Sequence, residues 1–226
     1  MKLGSVVVHW FYYIWYMNKY IIEFLGTLFL VLIIGLSQNP LAIGLGLAVL
    51  VYMGAHISGA HYNPAVSLAM LINKQIKLKE FSFYVASQLL GSVFGTYLVV
   101  LLSNNDFNVV SNTSDISSFF LAEILFTFLL VFVILNVALN KNLKGNQFYG
   151  LAIGLTVTAG AFTVGGISGA VFNPAVSFGP SFFSFINPEV VVNEVSSSDC
   201  FIYYLISGIV GSVIASYLYK KLYTYQ

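Results

Sequence analysis

Residues 168–177 read SGAVFNPAVS, and residues 58–67 read SGAHYNPAVS. Eight of the ten positions are identical, at an offset of 110 in a chain of 226 residues. Each copy carries an Asn-Pro step. An Asn side chain caps a helix start well, and Pro is favoured at the first helical position, where its missing N–H costs nothing. Asn63-Pro64-Ala65 and Asn173-Pro174-Ala175 therefore read as two helix starts. The apolar segments they open, 63–72 and 173–184, are too short to cross a bilayer. A helix of about 10 residues is about 15 Å long, half of a hydrocarbon core about 30 Å thick. The pattern predicts two half-helices. Each is led in by an irregular stretch, 57–62 and 167–172, whose carbonyls can face a cavity.

The similarity extends beyond the decapeptides. The 110-residue offset aligns 41–67 on 151–177 with 14 identities in 27. An offset of 100 aligns EFLGTLFLVL, from Glu23, on EILFTFLLVF, from Glu123. The chain is thus written twice. Its composition places both copies in a membrane: 58% of residues are hydrophobic and only 8% charged, against roughly a quarter charged in soluble domains. Mean hydropathy is +0.88. Six apolar segments are long enough to span, at about 20–37, 40–57, 81–102, 118–139, 147–164 and 200–219. Three spans per repeat is an odd number, so the second repeat is inverted relative to the first. The expected fold is an all-α membrane protein of six transmembrane helices plus two re-entrant half-helices, with its site near the midplane.

Charge placement orients it. The chain has no arginine, and its nine lysines fall at the N-terminus, in 73–80, in 140–147 and at the C-terminus. The other connections carry acids: Asp106 and Asp115 in one, Glu189, Glu194 and Asp199 in the other. The positive-inside rule then puts both termini in the cytoplasm. Residues 1–19, aromatic and apolar, are expected to form a cytoplasmic interfacial segment ahead of a channel domain over 20–220 (repeats 20–102 and 118–220), with a short tail at 221–226. One cysteine excludes an intrachain disulfide framework. No Cys/His cluster has metal-ligand spacing, no basic stripe fits nucleic acid, and no nucleophile–base pair indicates an enzyme. No cofactor is expected.

Inversion brings the two half-helix N-termini together. Each carries unpaired N–H groups and a partial positive charge of about half an electron, which opposes cations, while the two Asn amides offer hydrogen bonds to a neutral solute. Glu23 and Glu123 stand at equivalent places inside spans one and four. An intramembrane carboxylate is costly, so each either relays protons or braces the loop behind its half-helix; Gln88 in span three is a similar candidate brace. Glycine and serine recur at four-residue spacing, Gly91/Gly95, Gly150/Gly154 and Ser207/Gly211, as in close helix crossings. His56 and His61 flank the first loop with no second ligand set beside them.

At EFLGT (Glu23–Thr27), HISGAHYNPAV (His56–Val66), SQLLGSVFGT (Ser87–Thr96) and GISGAVFNPAVSFGP (Gly166–Pro180) the chain resembles the aquaporin, or major intrinsic protein, family. The resemblance covers about residues 20–220. It implies a homotetramer in membrane lipid, a plasma-membrane location, a pore in each subunit, and passive flow of water or small neutral solutes. It also favours bracing as the work of Glu23, Glu123 and Gln88. One departure stands out. Members of the family usually place Arg after the second Asn-Pro-Ala, at the narrow outer constriction; here the residue is Val176. Counting from the motifs carries the other constriction positions to Ile43, Ala161 and Ala170, an apolar and mostly small set. Ser177, Ser181 and Tyr204 resemble water channels, and Leu205 resembles glycerol channels. The implied function is a channel for water and solutes such as glycerol, urea, ammonia or hydrogen peroxide. The alternatives are a strictly water-selective channel, a secondary transporter coupled to protons through Glu23 or Glu123, and a non-conducting structural membrane protein.

Overall fold

The structure, a computed structural model, describes the backbone of residues 3–103, 115–186 and 197–223, with side chains in 17–103, 115–186 and 201–223. The described residues form eight α-helices and one short 3-10 turn, Lys141–Leu143. In order they are α1 (Leu3–Ser37), α2 (Pro40–Ser58), α3 (Pro64–Ile72), α4 (Leu78–Ser103), α5 (Ile116–Leu139), α6 (Tyr149–Ser168), α7 (Pro174–Ile186) and α8 (Ser197–Tyr223). Six carry stretches long and apolar enough to span a membrane, and α3 and α7 are the short pair. Several helix boundaries differ from the sequence reading, and those of α1, α2 and α6 matter most. Helices α2 and α6 run on to Ser58 and Ser168, so the irregular stretches shrink to 59–62 and 169–172. Residues 3–16 continue α1 without a break, because no Gly or Pro interrupts Ser5 to Phe24. Their side chains and that of Asp199, most of the connection 103–117 and the acids Asp106, Glu189 and Glu194 lie outside the described residues.

Helix starts follow local chemistry. Asn39, Asn63 and Asp115 each cap the helix behind them, and the two Asn residues are followed by Pro. Hydrogen bonds from Ser117 and Ser118 hold the Asp115 carboxyl down to about 2, so it caps as an anion. At the far end of α3 the last carbonyls carry the negative end of the helix dipole. The Lys220 ammonium, from α8, donates to Ile72 O at 2.7 Å there.

The outer surface is apolar. Val49 is 66% exposed and Phe162 68%. Carboxylates, amides and hydroxyls lie inside, with Glu23 and Gln88 at 0%. This is the distribution expected when the solvent is hydrocarbon.

Small residues set the helix crossings. A Cβ on Gly91 would lie 2.4 Å from Phe24 O, and one on Gly95 2.7 Å from Leu28 O, so α4 packs backbone-close on α1. Gly211 does the same for α8 against Thr127 and Phe128 of α5. The tightest approach joins the repeats. Gly44 of α2 and Gly154 of α6 are repeat equivalents, and each added Cβ would meet the other's carbonyl, at 2.5 and 2.2 Å. The pseudo-twofold axis runs between them. Each half-helix also packs against the last long helix of the opposite repeat. Ser92 Oγ of α4 accepts from Gly179 N of α7 at 3.0 Å, and Ser212 Oγ of α8 donates to Ala65 O of α3 at 2.7 Å.

Gly154→Val is therefore expected to destabilise the fold by about 3 kcal/mol through overpacking, read as a lowered thermal midpoint in detergent. Gly166→Ala, in the same helix with nothing within 4 Å of the added Cβ, is expected to leave the midpoint unchanged or raised.

Candidate functional site

The two irregular stretches have the same backbone. Gly59 and Gly169 both lie at φ 86 as the caps of α2 and α6, where the left-handed region asks for glycine. Ala60 and Ala170 follow at φ 51 and 52, and Tyr62 and Phe172 at φ 49 and 49. A side chain in this region costs about 1–2 kcal/mol per residue, so something must hold four such residues in place.

The intramembrane carboxylates do this. Glu23 accepts from Ser58 Oγ at 2.7 Å and His61 N at 2.9 Å on one oxygen, and from Tyr62 N at 2.7 Å and Gln88 Nε2 at 2.8 Å on the other. Glu123 accepts from Ser168 Oγ at 2.6 Å, Val171 N at 3.0 Å and Phe172 N at 2.8 Å. Gln88 also donates to Ser67 Oγ at 3.0 Å, tying α4 to the first half-helix. Two tyrosines complete the frame: Tyr84, which the sequence reading passed over, donates its Oη–H to Ser58 O, and Tyr204, noted there only as resembling water channels, donates to Ser168 O. They sit at an offset of 120, as do GSVFGTYL, from Gly91, and GSVIASYL, from Gly211. That third register was the signal that could have found them and the Ser92/Ser212 pair.

The two Asn side chains close the site. Asn63 Oδ1 accepts from Ala65 N at 2.8 Å, capping α3, while its Nδ2 donates to Phe172 O of the other loop at 2.9 Å. Asn173 Oδ1 accepts from Ala175 N at 3.0 Å, capping α7, while its Nδ2 donates to Tyr62 O at 2.9 Å. Each amide caps its own half-helix and grips the opposite loop, and each keeps a second N–H.

Both amides line a cavity of about 470 Å³, and so do Ile43, Ala161, Ala170 and Val176. Most of the wall comes in repeat-equivalent pairs: Leu30 with Leu130, Ile34 with Ile134, Ile43 with Ile153, Val66 with Val176. Val176 is therefore matched by a valine after the first Asn-Pro-Ala as well. Glu23 and Glu123, at 0% and 1% exposure, lie behind the loops and do not line the cavity. His61 breaks the symmetry. It lines the cavity where the second repeat has Val171, its Nδ1 lies 3.0 Å from Ser67 Oγ, and its ring packs on Tyr84. His56 is exposed and takes no part. Gln38 also lines the cavity, and sequence reasoning passed over it. No group of three or more metal-binding side chains occurs among the described residues.

Glu23→Gln and Glu123→Gln each replace an acceptor with an amide that must donate toward N–H groups. Each hydrogen bond to a carboxylate contributes about 1.5–3 kcal/mol. Both variants are expected to lower the thermal midpoint, Glu23→Gln by more because either of its carboxylate oxygens accepts from two donors, whereas in Glu123→Gln the NH2 can replace the oxygen that accepts only from Phe172 N.

The major intrinsic protein family model matches residues 11–219. Nodulin-26 of Glycine max is 35% identical over 78% of this chain, which spans only 62% of that relative's length. Glycerol uptake facilitator protein-like 6 of Lactiplantibacillus plantarum is 37% identical, covering 74% of this chain and 85% of its own. Among solved structures, the aquaglyceroporin from Plasmodium falciparum superposes with a TM-score of 0.79 at 28% identity, covering 91% of this chain and 96% of that one. With its duplicated half-helices and crossed asparagines, the chain belongs to the major intrinsic protein family.

Proposed function

We propose that this chain is a passive channel for water and for other small neutral solutes, with glycerol, urea, ammonia and hydrogen peroxide as candidates. The wall of the cavity carries the reading. From Ile43, Ala161, Ala170 and Val176 to Asn63 and Asn173, no Lys, Asp or Glu lines it among the described residues, and the chain has no Arg. In this reading the first four form the narrow segment, and the free N–H of each Asn supplies hydrogen bonds at the midplane. A cation entering sheds water against aliphatic side chains and then faces two helix N-termini, each worth about half a positive charge. A volume of about 470 Å³ falls within the range of small-molecule pockets, about 300–1,000 Å³. The names of two similar proteins, a glycerol uptake facilitator-like protein and an aquaglyceroporin, agree with a pore wider than one for water alone. The seven bonds that Glu23 and Glu123 accept behind the loops support bracing rather than proton relay.

The described lysines sit at the start of the membrane-crossing part of α1, between α3 and α4 and in the first turn of α4, between α5 and α6, and at the end of α8. In an up-down bundle these are one end, which supports cytoplasmic termini. The same reading places the protein in the plasma membrane as a homotetramer, its apolar flanks covered by lipid and neighbouring copies.

Stopped-flow light scattering of proteoliposomes tests the channel. Vesicles are expected to shrink faster than empty ones under an impermeant osmolyte, and to re-swell with glycerol or urea outside. Shrinkage equal to that of empty vesicles removes the channel reading, and water flow without glycerol or urea flow removes the broad one. Val176→Arg is expected to cut glycerol and urea permeability about tenfold and to lower proton leak, by narrowing the apolar segment and adding a fixed positive charge. Equal leak in a conducting variant rules out the electrostatic part.

A further inference from the structure

Gln38 lies between α1 and α2 and lines the same cavity as Ile43, Ala170 and Val176. Its backbone sits at φ 48, in the left-handed region. Its N–H donates to Ile34 O at 3.1 Å, which places it just past the end of α1. Glycine suits such a position, because a Cβ there crowds the neighbouring carbonyl. The turn is fixed without the Gln38 side chain. Ser37 Oγ donates to Ile33 O at 2.7 Å, and Asn39 Oδ1 accepts from Leu41 N at 2.9 Å and Ala42 N at 3.1 Å. Nothing in the local fold asks for glutamine, and the backbone pays a strain to keep a side chain there. An outlier of this kind points to function.

The surroundings say which function. The other polar side chains on the wall, His61, Tyr62, Asn63 and Asn173, all belong to the first loop and the two half-helix starts. The chain neighbours of Gln38 on the wall, Ile34 and Ile43, are aliphatic, as are Ala170 and Val176 of the second loop and half-helix. At the offset that pairs Ile34 with Ile134, Gln38 pairs with Ala138, so the second repeat has no counterpart. A carboxamide presents one carbonyl acceptor and two N–H donors without charge.

We infer that the Gln38 carboxamide is a neutral hydrogen-bonding subsite at the α1–α2 end of the cavity, and that it favours small solutes that both donate and accept, polyols and carboxamides. The inference rests on the channel reading above. A polyol or urea entering an aliphatic segment gives up several hydrogen bonds to water at once, and a partner on the wall offsets part of that loss. Water, smaller and linked to the waters before and behind it, depends on the subsite less.

Two variants test it in proteoliposomes. Gln38→Met keeps the length of the side chain and removes its hydrogen bonding. Gln38→Gly removes the side chain and relieves the backbone, so it is expected to fold with an equal or higher thermal midpoint. In both, glycerol and urea permeabilities are expected to fall about threefold to tenfold relative to water permeability. A role confined to the turn would move the midpoint and leave those ratios alone. Ratios within about twofold of wild type in Gln38→Met, with the wild type passing solute, overturn this inference and leave the channel reading standing. A wild type that passes neither glycerol nor urea overturns it together with the broad-channel reading.

Discussion

Two crossed amides hold the centre of the molecule. Asn63 donates to Phe172 O and Asn173 to Tyr62 O, each at 2.9 Å, while each side-chain oxygen caps its own half-helix. For those carbonyls to point across the axis, Tyr62 and Phe172 must take up left-handed backbone. For that backbone to persist, its N–H groups need strong acceptors, and the acceptors are Glu23 and Glu123. Carboxylates at such depth are tolerable only when surrounded by donors, which Ser58, Ser168 and Gln88 supply. Each link makes sense of the next, and the two carboxyls, the two asparagines and the backbone of both loops form one network around the axis.

The energetics run the same way. A left-handed non-glycine residue costs about 1–2 kcal/mol, and a hydrogen bond to a carboxylate contributes about 1.5–3 kcal/mol. The loops are therefore strained structures held by buried carboxyl groups, and that rigidity fixes where the asparagine N–H groups point. Close helix crossings at Gly44/Gly154, Gly91 and Gly211 provide the stiff frame in which this is possible. Without a hydrophobic driving force between helices in lipid, such backbone-close packing carries much of the association.

Much of this was legible in the sequence, for physical reasons. Asn-Pro is a local signal, and its two copies in register announced the half-helices. The lysines and the intramembrane Glu residues are costly in hydrocarbon, so their positions carried meaning, as did the small residues. What stayed hidden depended on three dimensions. The left-handed backbone of Ala60 and Ala170 leaves no mark in residue type, since alanine is not the residue that favours it. Tyr84 reads in the sequence as an ordinary span residue and Tyr204 as a family marker without a role, because the reach of each hydroxyl to a loop carbonyl exists only in three dimensions. Gln38 was passed over because it lies outside every motif, in a connection that a reading of spans treats as punctuation. The helix ends at Ser58 and Ser168 were placed short because a serine next to glycine reads as loop, whereas here each hydroxyl is the last helical group and is bound by a carboxylate.

The repeats are not equal in one respect. The offset of 120 that matches Tyr84 with Tyr204 matches Gln88 with Gly208. A Cβ at Gly208 would lie 2.8 Å from the Pro174 ring, so the second half has no room for the amide the first half uses. Both loops are held by a carboxylate, a serine, a tyrosine and the opposite asparagine, and the first half adds the Gln88 amide, which binds both Glu23 and Ser67. In a protein that grew by doubling, heat and mutation will not wear the two halves evenly. The half containing Asn173 has one buried amide fewer behind its loop, so heating is expected to loosen residues 169–172 before residues 59–62.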